Sequence, residues 1–159
     1  MKVLSVILSM KEHHGGPPAV LNNQIKVINK DQKIVSIFKL SRISSFFLMK
    51  CILFKSYRLR IYNFLKKFHL VHFHEIWSIK VMLLVYLCNK LLIKHFFVGH
   101  GYLDSWSINQ GKIKKKIFLK FFLQPAYNSA SASFFSSLEE YIEASKNINV
   151  HNPFIIPNG

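Results

Sequence analysis

Six short apolar runs alternate along the chain with longer stretches of helical spacing, and this alternation restricts the fold more than any other feature. Residues 3–8 (VLSVIL) are β-branched and nearly continuous in apolar character, the pattern of a strand covered on both faces. Residues 33–40, 70–74, 95–98, 132–135 and 154–156 repeat that pattern. Between them, 58–68, 78–94 and 112–122 carry apolar residues at helical spacing, with Gln124-Pro125 as a kink or the stop of the third. Ser137 is placed to cap a short helix whose first turn holds Glu139 and Glu140, where the helix dipole favours anions. The segment 41–56 has no decisive period. Strands and helices in this order predict an α/β fold: a Rossmann-like parallel sheet flanked by helices.

With 159 residues, the chain is expected to form one domain over 1–159. Two cysteines, Cys51 and Cys88, stand too far apart for a paired motif and read as reduced, buried thiols. The N-terminal MKVLSVILSM reads as a first strand rather than a signal peptide, and no apolar run reaches the roughly 20 residues of a membrane span. The expected location is therefore cytoplasmic.

Charge narrows the partners. The chain has 22 basic and 7 acidic residues, a net charge of +15, and no acid between Asp31 and Glu75. Such a balance fits a polyanionic neighbour, whether nucleic acid, an anionic membrane or a phosphorylated substrate, or else a solvated basic surface. The helix at 112–122 places Lys112, Lys115, Lys116 and Lys120 on one face with Leu119 and Leu123 among them. That mixture suits peripheral contact with an anionic membrane, with a solvated face as the alternative.

Open parallel sheets bind ligands at the carboxyl ends of their strands. Three unusual sequences fall there. Gly15-Gly16, before Pro17-Pro18, forms a strand-to-helix corner where backbone can approach a ligand or an anion; a plain tight turn reads as well. It lacks the glycine spacing of a dinucleotide site. His72 and His74 lie two apart on one strand face, followed by Glu75, as structural histidines or as polar contacts to a ligand or to the neighbouring loops. Zinc would need a third ligand from His69, Glu75 or His100, and no metal spacing is present, so no metal is expected. His100 stands between Gly99 and Gly101 with room to present its ring. Asp104 is placed to orient it or bind a hydroxyl, and Trp106 to stack on a sugar or cap the core.

In order, KVLSVILSM with GGPP, VHFHEIW, VGHGYLDSW, a lysine-rich helix and IIPNG resemble the N-terminal domain of retaining glycosyltransferases of GT-B fold, family 4. The resemblance spans residues 2–159, although 40–70 carries no motif and Glu75 replaces the family's usual glycine. It implies transfer of a hexose from a nucleotide-diphosphate sugar to a glycan or lipid-linked acceptor, with retention, in polysaccharide or lipopolysaccharide assembly. No cofactor is implied beyond that co-substrate, and the location implied is cytoplasmic or peripheral on the inner face of the cell membrane. By resemblance, His100 contacts the transferred sugar as the catalytic residue, while Gly15 and Gly16 approach the diphosphate or the acceptor. His72, His74, Glu75, Asp104 and Trp106 line the acceptor side, and Asn158 and Gly159 form the hinge to a second, nucleotide-binding lobe. That lobe is absent from the sequence, so the expectation is a chain inactive alone or paired with a partner chain. The rival expectations are a basic α/β module binding anionic membrane or nucleic acid without chemistry, and a non-functional remnant.

Overall fold

A computed structural model describes residues 2–8, 18, 21, 22, 26 and 35–157. The fold is α/β. Its strands follow the order β2-β1-β3-β4-β5-β6, namely β1 (Val3–Ile7), β2 (Val35–Lys39), β3 (Leu70–Phe73), β4 (His95–Val98), β5 (Ala132–Phe135) and β6 (Pro153–Ile155). The pairs β1–β2, β1–β3, β4–β5 and β5–β6 are all parallel. The chain divides into two compact units, Met1–His95 and Phe96–Gly159.

In the first unit β1 is buried at every position, Ser5 included, as its nearly continuous apolar run requires. Val3 aligns with Val35 on one side and Leu70 on the other. Among the described residues that follow β2, three α-helices accompany these strands: α1 (Ser45–Leu53), α2 (Lys55–Leu65) and α3 (Ile79–Lys90). The periodless segment thus contains a helix, α1, started by the Ser44 hydroxyl, which accepts the Phe47 N–H at 3.1 Å. Helix α2 begins earlier than its spacing predicts and stops at Leu65. Helix α3 ends at Lys90 rather than at 94, because Leu92 adopts a left-handed φ of 56° and breaks the ladder. Leu4, Val6, Ile7, Leu48, Cys51, Leu65, Val71, Phe73, Leu84 and Leu87 form the core. Both cysteines are free and buried, and burial pushes the Cys88 thiol up to about 12.

In the second unit β4 and β5 are followed by elements that sequence spacing resolved less well. Residues 105–109 form a short helix, α4 (Ser105–Asn109), within the glycine-rich loop region. Helix α5 (Lys112–Phe118) passes through a π turn, Leu119–Leu123, into α6 (Gln124–Ser129). Gln124-Pro125 therefore does not end the helix: Pro125 occupies the first turn of α6, where its missing N–H is least costly. Helix α7 (Leu138–Ser145) follows β5. Phe97 and Tyr127 stack at 4.4 Å between ring centres and anchor this core with Ile108, Leu123, Phe135, Ala144 and Ile148. Among the described residues no helix is long and apolar enough to cross a membrane.

Candidate functional site

The loop after β4 owes its shape to two glycines and one face of α7. Gly99 continues the pairing with β5 by donating its N–H to the Phe134 carbonyl at 2.6 Å. A Cβ there would lie 2.6 Å from Glu140 Oε1 and 3.1 Å from the Phe134 carbonyl oxygen, so only glycine fits without displacement. Gly101 has φ of 71°, the left-handed region that favours glycine.

Glu140 closes the loop. Its Oε1 accepts the Gly101 N–H at 2.7 Å, while Oε2 accepts from Ser136 N at 2.6 Å and Ser136 Oγ at 2.7 Å. One carboxylate thereby ties the end of β4 to the end of β5. Two further residues on the same face of α7's register, three and seven positions on, extend the brace. Glu143 Oε2 accepts the Ser105 hydroxyl at 3.0 Å, and Asn147 Nδ2 donates to the Leu103 carbonyl at 3.1 Å. The Ser137 hydroxyl starts the helix by accepting the Glu140 N–H at 3.2 Å. Sequence spacing assigned Glu140 only to the helix dipole. The Ser137-x-x-Glu140 pattern was the available signal, since a third-position glutamate at a serine cap turns its carboxylate back toward unpaired N–H groups.

Within this frame His100 is half-buried, with its ring edge-on to Tyr102 at 6.0 Å. Burial lowers its pKa and the Glu140 charge raises it; burial is the larger effect, so the imidazole is neutral at neutral pH. A neutral ring has one N–H donor and one acceptor nitrogen, a combination suited to a hydroxyl-rich ligand. Asp104 is engaged by the backbone, since its Oδ1 accepts the Ser107 N–H as the cap of α4. Trp106, on α4, is 73% exposed, which excludes the core-capping alternative.

His72, His74 and Glu75 belong to the first unit. His74 lies just beyond β3, is buried, and donates its backbone N–H to the Val6 carbonyl at 3.0 Å. The His72 and His74 rings meet at 6.2 Å, and burial lowers the His72 pKa to about 4. Burial raises that of Glu75. Gly15, Gly16, Asn158 and Gly159 lie outside the described residues. Among the described residues no group of three or more His, Cys, Asp or Glu side chains is arranged to hold a metal ion.

The lysine-rich face differs from its expectation. Leu123 is fully buried, Leu119 is half-buried, and Lys115 turns inward to donate to the Ser107 carbonyl at 2.6 Å. The apolar residues that share solvent with Lys114, Lys116 and Lys120 are instead Ile113, Ile117, Phe121 and Phe122. Comparison with protein families, with curated proteins and with solved structures finds no match to this chain.

Proposed function

We propose that the chain is the acceptor-side domain of a retaining GT-B glycosyltransferase, acting on a hexose from a nucleotide-diphosphate sugar and a glycan or lipid-linked acceptor. Polysaccharide or lipopolysaccharide assembly at the inner face of the cell membrane is the setting that fits this chemistry. The observation that carries the reading is the braced Gly99-His100-Gly101 loop with its neutral imidazole at the carboxyl end of a parallel strand. In this reading His100 hydrogen-bonds the hexose, donating from one ring nitrogen and accepting at the other as charge develops at the anomeric carbon. Asp104 acts by fixing the turn into α4, and the exposed Trp106 offers an apolar face to a sugar ring.

The test is calorimetric titration with a panel of nucleotide-diphosphate hexoses and oligosaccharide acceptors. Saturable binding by the native chain, weakened about tenfold or more by His100→Ala with the fold intact, is the expected result. A second reading, a basic binding module without chemistry, draws on the exposed lysines and apolar residues of α5. It predicts no sugar binding, and affinity for duplex DNA or anionic vesicles that His100→Ala leaves unchanged.

A further inference from the structure

Helices α1 and α2 form a hairpin whose outward side departs from the pattern of a solvated surface. Their inward residues are buried: Leu48 and Cys51 on α1, Ile61 and Leu65 on α2. The outward stripe of α1 should then be polar. It holds Phe46 at 69% exposure and Leu53 at 66%, seven positions apart, with Met49 between them. Phe54, the single residue joining the helices, and Leu59 on α2 are also exposed. The rings of Phe47, Phe54 and Tyr57 gather at the tip, with centroids 6.1 and 6.3 Å from Tyr57.

Cations surround this apolar surface. Lys50 Nζ lies 4.5 Å from the Phe46 ring centre and 5.4 Å from that of Tyr57, and the Arg60 guanidinium lies 5.9 Å from Tyr57. Lys55, Arg60, Lys66 and Lys67 are exposed, and no acid occurs between Asp31 and Glu75.

Three carbonyls at the end of α1 are satisfied as well. The last carbonyls of a helix lack intrahelical donors and ordinarily need water. Here the Phe54 N–H reaches the Lys50 carbonyl at 2.8 Å. Arg58 donates to the next two, from Nε to Cys51 O at 3.3 Å and from Nη2 to Ile52 O at 2.6 Å. These three carbonyls, capped from within, can leave water without being stranded.

We propose that the α1–α2 hairpin is a docking surface for an anionic lipid bilayer, with Phe46, Leu53 and Phe54 entering the headgroup–acyl boundary and Lys50, Lys55 and Arg60 meeting lipid phosphates. A nucleic acid would answer the charge but leave Phe46, Leu53 and Phe54 in water; a bilayer surface answers both. The inference is independent of the sugar-transfer reading.

Flotation of the full chain with phosphatidylcholine vesicles, with and without phosphatidylglycerol, tests it. The native chain floats with the phosphatidylglycerol vesicles and stays behind with neutral ones. The pair Leu53→Ser/Phe54→Ser lowers partitioning about tenfold or more, because two large apolar side chains no longer enter the boundary. Serine caps a helix better than phenylalanine does, so α2 keeps its start in this variant. The pair Lys55→Gln/Arg60→Gln weakens partitioning and flattens its dependence on salt. Should the serine pair also disturb folding, a Phe54→Trp variant serves: bromine-labelled acyl chains quench its added emission if the tip is inserted. Overturning results are equal flotation of the serine pair, no quenching of the tryptophan at position 54, or release by duplex DNA with no lipid preference. A dimer in solution that the serine pair abolishes also overturns the proposal, since the occupant would then be a second copy.

Discussion

The ends of β3 and β4 both carry imidazoles, yet they are held in opposite ways. His72 and His74 belong to a strand and its first extension; the backbone beside them is tied to β1, and no glycine loosens it. His100 has left the strand. Its backbone bends through the left-handed Gly101, and three side chains of α7 and its end hold the turn. Burial lowers the pKa of both His72 and His100, and at His100 the Glu140 carboxylate works against it. Imidazoles fixed by sheet pairing take their direction from the strand, whereas one fixed by an external brace is directed by the side chains that hold the turn. That contrast singles out His100 over the more conspicuous His-x-His pair.

The strongest way to break the contrast is to remove the brace. Glu140→Ala deprives three donors, on Gly101 and Ser136, of their acceptor and should lower stability by about 3 kcal/mol in chemical denaturation. A loss below about 1 kcal/mol would mean that the loop holds itself. Gly99→Ala comes next, at about 2 kcal/mol, since its methyl would press on Glu140 and the Phe134 carbonyl. Gly101→Ala should cost about 1 kcal/mol, for its φ of 71° alone, because the nearest atom to an added Cβ is Asp104 Oδ2 at an ordinary 3.7 Å.

An effect of pH is confined to the other side of the comparison. His72 has a folded pKa of about 4 against an ordinary 6.5, so the unfolded chain binds the proton first. Its contribution is full above about pH 6.5 and is lost as the pH falls toward 4. The raised Glu75 runs the other way, losing stability as pH rises above its ordinary 4.5, so the informative quantity is a difference. Denaturation midpoints of native and His72→Asn proteins should converge on acidification through that window. A constant gap would show that His72 does not titrate there.

How much of this was legible in the sequence follows from where the hydrophobic pattern is clean. Runs such as 3–8 and 95–98 announce strands because buried parallel strands must be apolar throughout. Helix α1 was illegible for the converse reason: Phe46, Met49 and Leu53 are apolar on the exposed side, which erases the helical period. The π turn at Leu119–Leu123 lets the helical segment run past Gln124, which no propensity announces. At the site, the two glycines and His100 could be read from residue types alone. The partners could not, since Glu140, Glu143 and Asn147 come about forty residues later and meet the loop only through folding. The capping role of Asp104 was hidden for a related reason, since an aspartate after a glycine turn does not announce the short helix that it caps.

The most direct test follows the carbon and nitrogen resonances of the histidine rings while a nucleotide-diphosphate hexose is added. The braced loop predicts saturable shifts at His100, small changes at His72 and His74, and in Glu140→Gln a His100 pKa lower than the native one, because the opposing charge is gone. Unmoved His100 resonances at saturating hexose donor, or a His100 pKa that Glu140→Gln leaves unchanged, would contradict it.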